Sequence, residues 1–426
     1  MRKINKFMTS AAALLLAASM MAGCSSNGDA AEETSADTSA AAEAAPTVLA
    51  DLTGGKAAIP QLEIESYDIP DNAALAFTKD MKIGWNIGNT LDATNDSGVE
   101  NDLDIESAWV GVKINKSLID NMKNAGFNTI RVPISWHNHM DDNFTINEAF
   151  MNRIQEVVDY VIDNDMYCII NIHHDIDAKY YYPDSENLET STKYMKTVWK
   201  QVAERFNGYG DKLIFEGINE PRLKGTGLEW YVNTNSDESM DSVECINKLN
   251  QTFVDTVRAT GGNNAERYLM VPGYAASPDG VLIDNFTLPT DTADNKIIVS
   301  VHAYTPYNFA LQEVAGSGSK SEWSVDDPSS TNDIVSFMDR LYDKFISKGT
   351  PVVIGEFGAR NKKENLQART DFAAYYVASA RARGITCCWW DNNAFYGTGE
   401  NFGLFDRASN TWKYADIVLA MMEYAE

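Results

Sequence analysis

The run Leu213-Ile214-Phe215-Glu216-Gly217-Ile218-Asn219-Glu220-Pro221 is short, apolar and β-prone, and it stops at a carboxylate and a proline. Leu213–Ile218 is the right length for one buried strand and too short for a core helix, and Pro221 could not extend a ladder. Seven other runs share this build: Met81–Ile87, Thr129–Ile134, Tyr167–Ile172, Tyr268–Val271, Ile297–Val301, Val352–Ile354 and Ile385–Trp390. Between most of them lie segments of helical periodicity, at Lys116–Ala125, Ala149–Ile162, Lys193–Phe206, Val243–Thr260, Ile334–Ser347 and Gln367–Arg383, with a last helix over Tyr414–Tyr424. Strands that alternate with helices pair in parallel. Eight such units predict a closed ring, a single (β/α)8 TIM barrel over residues 48–426. The pattern is faintest over Gly273–Asn295. Gly225–Ser239 and Ala315–Thr331 are polar and follow strands, so they are expected as insertions at the mouth of the barrel.

A parallel strand buried on both faces should be apolar throughout, so polar residues at its C-terminal tip need a reason. In chain order the tips carry Asn86 and Asn89, then Arg131 and Trp136, then His173, His174 and Asp175. Asn219 and Glu220 follow, then His302 and Tyr304, Glu356, and finally Trp389, Trp390 and Asp391. The chain has five histidines; His173, His174 and His302 stand on tips, and His137 and His139 follow Trp136. Surface solvation would not concentrate them so.

Glu220 and Glu356 each end an apolar run, and the fourth and seventh runs face each other across a barrel mouth. Two carboxylates across a cleft suit glycosidic cleavage, one protonating the leaving oxygen and the other meeting positive charge on the sugar. Arg131 is placed to keep one of them ionised, and tryptophans offer flat faces for a pyranose ring. Glu216 sits within its run and reads as part of the barrel interior. Adjacent strand residues point to opposite sides, so His173 and His174 are not expected to share an ion. Neither a metal nor a cofactor is expected.

The net charge of −26 excludes a nucleic-acid partner and leaves a neutral polysaccharide unaffected. Of five cysteines, Cys168, Cys245, Cys387 and Cys388 show no paired spacing, and no disulfide is expected. The fifth lies in the leader. Arg2, Lys3 and Lys6 precede a short apolar stretch, Ala11–Ala18, which ends in Met21-Ala22-Gly23-Cys24. This resembles a bacterial lipobox. Residues 1–23 are therefore expected to be a lipoprotein signal peptide, with Cys24 lipidated. Residues 24–47 follow as a disordered acidic tether, because Ser25–Thr47 lacks the apolar surface that would offset ordering. The expected product is an extracellular monomer held to the bacterial membrane by its lipid.

Seven stretches together resemble glycoside hydrolase family 5 of clan A. They are Gly84-Trp85-Asn86-Ile87-Gly88-Asn89-Thr90-Leu91, Arg131-Val132-Pro133-Ile134-Ser135-Trp136, Asn171-Ile172-His173-His174, Asn219-Glu220-Pro221, His302-Ala303-Tyr304, Gly355-Glu356-Phe357-Gly358 and Trp389-Trp390-Asp391-Asn392. The first and last resemble subfamily 4, the endo-β-glucanases. The resemblance implies a retaining endo-hydrolase of β-1,4-linked glucans such as cellulose, xyloglucan or mixed-linkage glucan. Alternatives are a mannanase or xylanase of the same family, or an inactive glycan-binding lipoprotein. It implies Glu220 as acid/base, Glu356 as nucleophile, Asn219 on the sugar 2-hydroxyl, and Arg131 and Tyr304 positioning and ionising Glu356. It also implies His173 and His302 lining the site and Trp390 as sugar platform, with His174, Asn86, Asn89, Trp136 and Trp389 as further wall residues.

Overall fold

The computed structural model describes residues 56–95 and 98–426. The expected signal peptide, the lipidated Cys24 and the tether lie outside the described residues. Eight parallel strands close on themselves in sequence order: β1 (Ile83–Ile87), β2 (Thr129–Val132), β3 (Tyr167–Asn171), β4 (Leu213–Glu216), β5 (Leu269–Pro272), β6 (Ile297–His302), β7 (Val352–Phe357) and β8 (Thr386–Asp391). Every residue of the eight is buried. Closure comes from β1 pairing with β8, with Trp85 beside Trp389 and Asn86 beside Trp390. This is the (β/α)8 barrel that the alternation of strands and helices predicts.

Strand alternation sorts the residues into layers. Ile169, Ile214, Met270, Ile298, Val353 and Cys388 form an apolar plug inside the barrel. Their neighbours Ile170, Phe215, Val271 and Val299 face outward into the helix layer. The inward layer nearer the strand tips is polar, built from Asn86, Arg131, Asn171, Glu216 and Ser300, all fully buried. A Cβ on Gly84 would sit 2.3 Å from Cys388 Sγ. Only glycine lets β1 and β8 approach so closely there.

Helix bounds depart from the periodic segments where acidic first turns or side-chain caps extend them. The fourth helix runs Leu188–Arg205 and the fifth Asp237–Ala259, starting several residues before the apolar periodicity does. Ser236 accepts a hydrogen bond from the Ser239 amide, and Asp237 and Glu238 favour the first turn, so polar residues of the expected insertion are helical instead. The helix Pro328–Lys344 begins early for the same reason, capped by Asp327. Within Gly273–Asn295 only two short turns of helix form, the 3-10 turn Tyr274–Ala276 and the α-helical Pro278–Leu282. Three α-helices among the described residues have no counterpart in the periodic segments: Ala73–Asp80, Pro278–Leu282 and Tyr307–Ala310. Ala73–Asp80 leads into β1, and its Ala74 joins the plug while Phe77 stacks on Tyr268.

Candidate active site

Arg131, on β2, is the hub of the polar layer. Its Nε donates to Glu216 Oε2 at 2.8 Å, and Nη1 donates to Asn86 Oδ1 and Glu356 Oε1, each at 2.9 Å. Nη2 donates to Asn219 Oδ1 at 2.7 Å and lies 3.3 Å from His302 Nε2. Burial works against the guanidinium's charge, but Glu216 and Glu356 outweigh it and hold the group firmly protonated. Glu216 accepts from Ser300 Oγ (2.6 Å) and Asn171 Nδ2 (3.0 Å) as well, so its buried carboxylate is fully engaged within the barrel.

Just above this layer stand the two tip glutamates. Glu356, near the end of β7, accepts from Arg131 on one oxygen and from the Tyr304 hydroxyl at 2.9 Å on the other. Burial and the nearby Glu356 charge push the Tyr304 phenol far above its ordinary range, so it stays a donor. Glu220 lies four residues beyond β4, and His302 Nδ1 contacts its Oε1 at 2.8 Å. Ligand atoms of Glu220, His302 and Glu356 lie within 4.8 Å of one another. That spacing belongs with the roughly 5–5.5 Å of retaining glycosidases and not with the roughly 6.5–9.5 Å of inverting ones.

His302 and Glu220 share a proton. Burial opposes charge on His302, yet Glu356 and the hydrogen bond to Glu220 raise its pKa above the ordinary histidine range. Burial likewise opposes the Glu220 carboxylate, but His302 and the Arg222 charge draw its pKa below the ordinary range. Both shifts favour a charged His302 beside an ionised Glu220. Arg222 follows Glu220 by two residues, with its Nη1 3.6 Å from Glu220 Oε2. Nothing in the sequence reading assigned it a part, although its place beside the tip carboxylate was a usable signal.

The remaining tip residues divide by where the fold puts them. Trp390 lies against the Gly88 backbone, where an added Cβ would fall 2.7 Å from the indole. Its plane is within 2° of the His173 ring, with centroids 5.7 Å apart. Asn219 turns its oxygen to Arg131, which leaves its amide to donate into the cleft. Asn89 adopts φ 61° in the turn after β1. Asn86 is buried beneath the cleft, held between Arg131 and the Gly355 carbonyl, so it supports the site without forming a wall. Trp136 and Trp389 are not at the wall. Both are fully buried, the first donating to the Asn171 carbonyl and the second to the Phe402 carbonyl. Apolar packing against Phe150 and Phe357 explains their placement better than any contact in the cleft.

The strand-alternation rule fails for His173 and His174, because both lie beyond the end of β3. Their rings meet edge to face at 4.3 Å, and with Asp92 they bring ligand atoms within 4.8 Å of one another. Asn171 sets the chemistry here. Its Oδ1 accepts from the Ile134 amide, so its NH2 group faces His173 Nδ1 at 3.2 Å. Nδ1 is thereby an acceptor and Nε2 carries the hydrogen, which suits a sugar hydroxyl and not a metal ion. Burial holds His173 far below its usual range and so neutral. The other two histidines are structural: His137 and His139 each hold a carboxylate at 2.5 Å, Asp175 and Asp102.

Comparison with known proteins supplies the lineage. The sequence profile of Cellulase (glycosyl hydrolase family 5) matches residues 91–396. Endoglucanase 1 of Ruminococcus albus is 44% identical over 349 residues, covering 81% of this chain and 80% of that protein. A solved GH5 family lichenase from Caldicellulosiruptor sp. F32 is 62% identical with a TM-score of 0.86, covering 87% of this chain and 100% of that one. A GH5-4 broad specificity endoglucanase from Ruminococcus champanellensis with bound cellotriose is 44% identical with a TM-score of 0.76, over 84% of this chain and 100% of that one. With a profile match over residues 91–396 and a relative 44% identical over 81% of its length, the chain belongs to glycosyl hydrolase family 5, the cellulase family.

Proposed function

We propose that the protein is a retaining endo-β-glucanase in which Glu356 is the nucleophile and Glu220 the acid/base. The observation that carries this is the approach of the two carboxylates to within 4.8 Å around His302. Glu356, oriented by Arg131 and Tyr304, attacks the anomeric carbon of a sugar lying over Trp390. Glu220 gives its proton to the departing oxygen, and then takes one from the water that frees the glycosyl-enzyme, so configuration is retained. The proton reaches Glu220 along its 2.8 Å contact with His302 once a bound sugar displaces water, because a dry site favours the neutral carboxyl. Asn219 donates to the 2-hydroxyl.

The backbone acted on is a β-1,4-linked glucan. Support comes from relatives named as an endoglucanase, a lichenase and a xyloglucan-specific endo-beta-1,4-glucanase. Reducing-sugar release from mixed-linkage glucan, xyloglucan, mannan and xylan tests it. Cleavage of mannan or xylan in preference to both glucans, or of none of the four, overturns the reading.

The same reading includes an extracellular protein held to the membrane by lipid on Cys24 and acting as a monomer. The export and the anchor rest on the Met21-Ala22-Gly23-Cys24 run behind a basic, apolar leader. Wild type is expected in the membrane fraction and Cys24→Ala out of it. A wild-type N-terminus beyond residue 24 in the medium defeats this part.

A further inference from the structure

Two cationic side chains face the Glu220 carboxylate, one to each oxygen. His302 Nδ1 lies 2.8 Å from Oε1, and Arg222 Nη1 lies 3.6 Å from Oε2. The second distance is too long for a hydrogen bond, and Nη1 donates instead to the Glu220 carbonyl at 2.9 Å. Oε1 is thus engaged by His302, while Oε2 is the oxygen left to meet the glycosidic oxygen of a bound glucan. Arg222 stands beside that second oxygen as a charge and not as a donor.

The guanidinium is braced on two further sides. Its Nε donates to Glu229 Oε1 at 3.2 Å, and its centre lies 4.0 Å from the centre of the Trp230 ring. Glu229 is fixed in turn, its other oxygen accepting from the Gly225 amide at 2.9 Å. The loop that carries them is tied to Tyr274, whose hydroxyl accepts from the Leu223 amide at 3.1 Å and donates to the Leu228 carbonyl at 2.9 Å. The Arg222 side chain is only 12% exposed. A cation held in this way has little freedom left to lose by staying near Glu220, unlike the partners of an exposed surface pair.

The other titratable groups around Glu220 come from every side of the mouth. They are Glu356 on β7, Glu400 after β8, Tyr304 after β6, and His174 and Tyr181 after β3. Burial lowers His174 to about 4 and raises both phenols, so these three are neutral near pH 7. Glu356 and Glu400 favour a proton between Glu220 and His302. Arg131 opposes it from below but is taken up by Glu216 and Glu356, which leaves Arg222 as the cation at the open side. We propose that Arg222 is a positioning residue for the acid/base: braced by Glu229 and Trp230, it weighs against the proton held between Glu220 and His302 and so eases its transfer to the departing oxygen. This rests on the acid/base role given to Glu220 above. When the glycosidic C–O bond breaks, its electron pair takes the Glu220 proton, and Arg222 steadies the carboxylate until that carboxylate accepts a proton from water.

The test is the pH profile of kcat/KM on mixed-linkage glucan for wild type, Arg222→Gln, Arg222→Lys and Glu229→Gln. Its alkaline limb marks loss of the proton from Glu220 and His302, which titrate as a pair. Arg222→Gln removes a positive charge beside the pair and should move that limb up by about one pH unit. Arg222→Lys keeps the charge and should leave the limb within about 0.3 unit of wild type. Glu229→Gln removes the anion that balances Arg222 and should move the limb down by about half a unit. A side chain that only tied the loop together would not give shifts of opposite sign. A limb unmoved or moved the other way in Arg222→Gln or Glu229→Gln, or an Arg222→Lys limb that follows Arg222→Gln, overturns the proposal. Should Arg222→Gln fail to fold, the direction in Glu229→Gln decides alone. Failure of the acid/base reading is distinct, since Glu220→Gln would then cleave the glucan as wild type does.

Discussion

Replacing Arg131 with methionine keeps most of the side-chain volume and removes the charge on which the polar layer is built. The guanidinium is fully buried and touches two carboxylates, Glu216 at 2.8 Å and Glu356 at 2.9 Å. It also satisfies the buried oxygens of Asn86 and Asn219. Breaking a buried pair by removing one partner costs about 3–5 kcal/mol, because a charge is left without compensation. Glu216 bears most of this, being 0% exposed, whereas Glu356 opens onto the cleft. Against a total stability of about 5–15 kcal/mol the loss is large but survivable at low temperature. Arg131→Met should therefore lower the unfolding free energy from urea titration by that amount and abolish turnover. The double variant Arg131→Met/Glu216→Gln removes the stranded charge and keeps acceptors and donors for Ser300 and Asn171. It should recover about 2–3 kcal/mol of stability and none of the activity, because Glu356 still lacks its partner. A single variant within about 1 kcal/mol of wild type, or a double variant no more stable than the single, would refute the view that Arg131 exists to balance buried carboxylates.

Other outcomes follow from the same geometry. Glu220→Ala should lose glucan hydrolysis yet keep its first step on an aryl glycoside with a good leaving group, and azide should then yield a β-glycosyl azide; a β-azide from Glu356→Ala instead would exchange the two roles. Trp390→Ala should raise KM on every glucan, and an unchanged KM would remove the indole from the sugar path. The fully buried Asp92, whose carboxyl burial raises to about 6, gives a pH dependence of stability. Its folded pKa lies above the unfolded value, so the fold favours the protonated form; stability is highest below about pH 4 and falls by about 3 kcal/mol as pH rises through 6. Asp92→Asn should gain on wild type by that amount between pH 4 and pH 7, and parallel urea midpoints across this range would count against it.

How much of this was legible in the chain depends on how local each cause is. The barrel was readable because strand length, apolar content and the proline or glycine after most tips act within a few residues. Glu220 and Glu356 stood out for the same reason: a carboxylate at the end of an apolar run is unusual wherever the chain goes next. The helix starts at Leu188 and Asp237 lie outside the periodic segments because acidic first turns, and at Asp237 the Ser236 side-chain cap, do not show as apolar periodicity.

Roles at the tips were decided only when eight strands were brought round one axis. Trp136 and Trp390 both follow apolar runs, yet one is covered by Phe150 and Asn171 while the other lies on Gly88 with a face towards the cleft. His137 and His139 look like site residues in sequence and are bound instead to Asp175 and Asp102, from segments far along the chain. The tautomer of His173, and with it the choice between sugar and metal, depends on an asparagine amide oriented by the Ile134 amide and Glu216. Sequence alone determined which elements form and which carboxylates end them, because those are short-range matters of propensity and burial. Tertiary structure decided which charges are compensated and which rings are uncovered, because a buried group's state is set by neighbours that the chain order does not reveal.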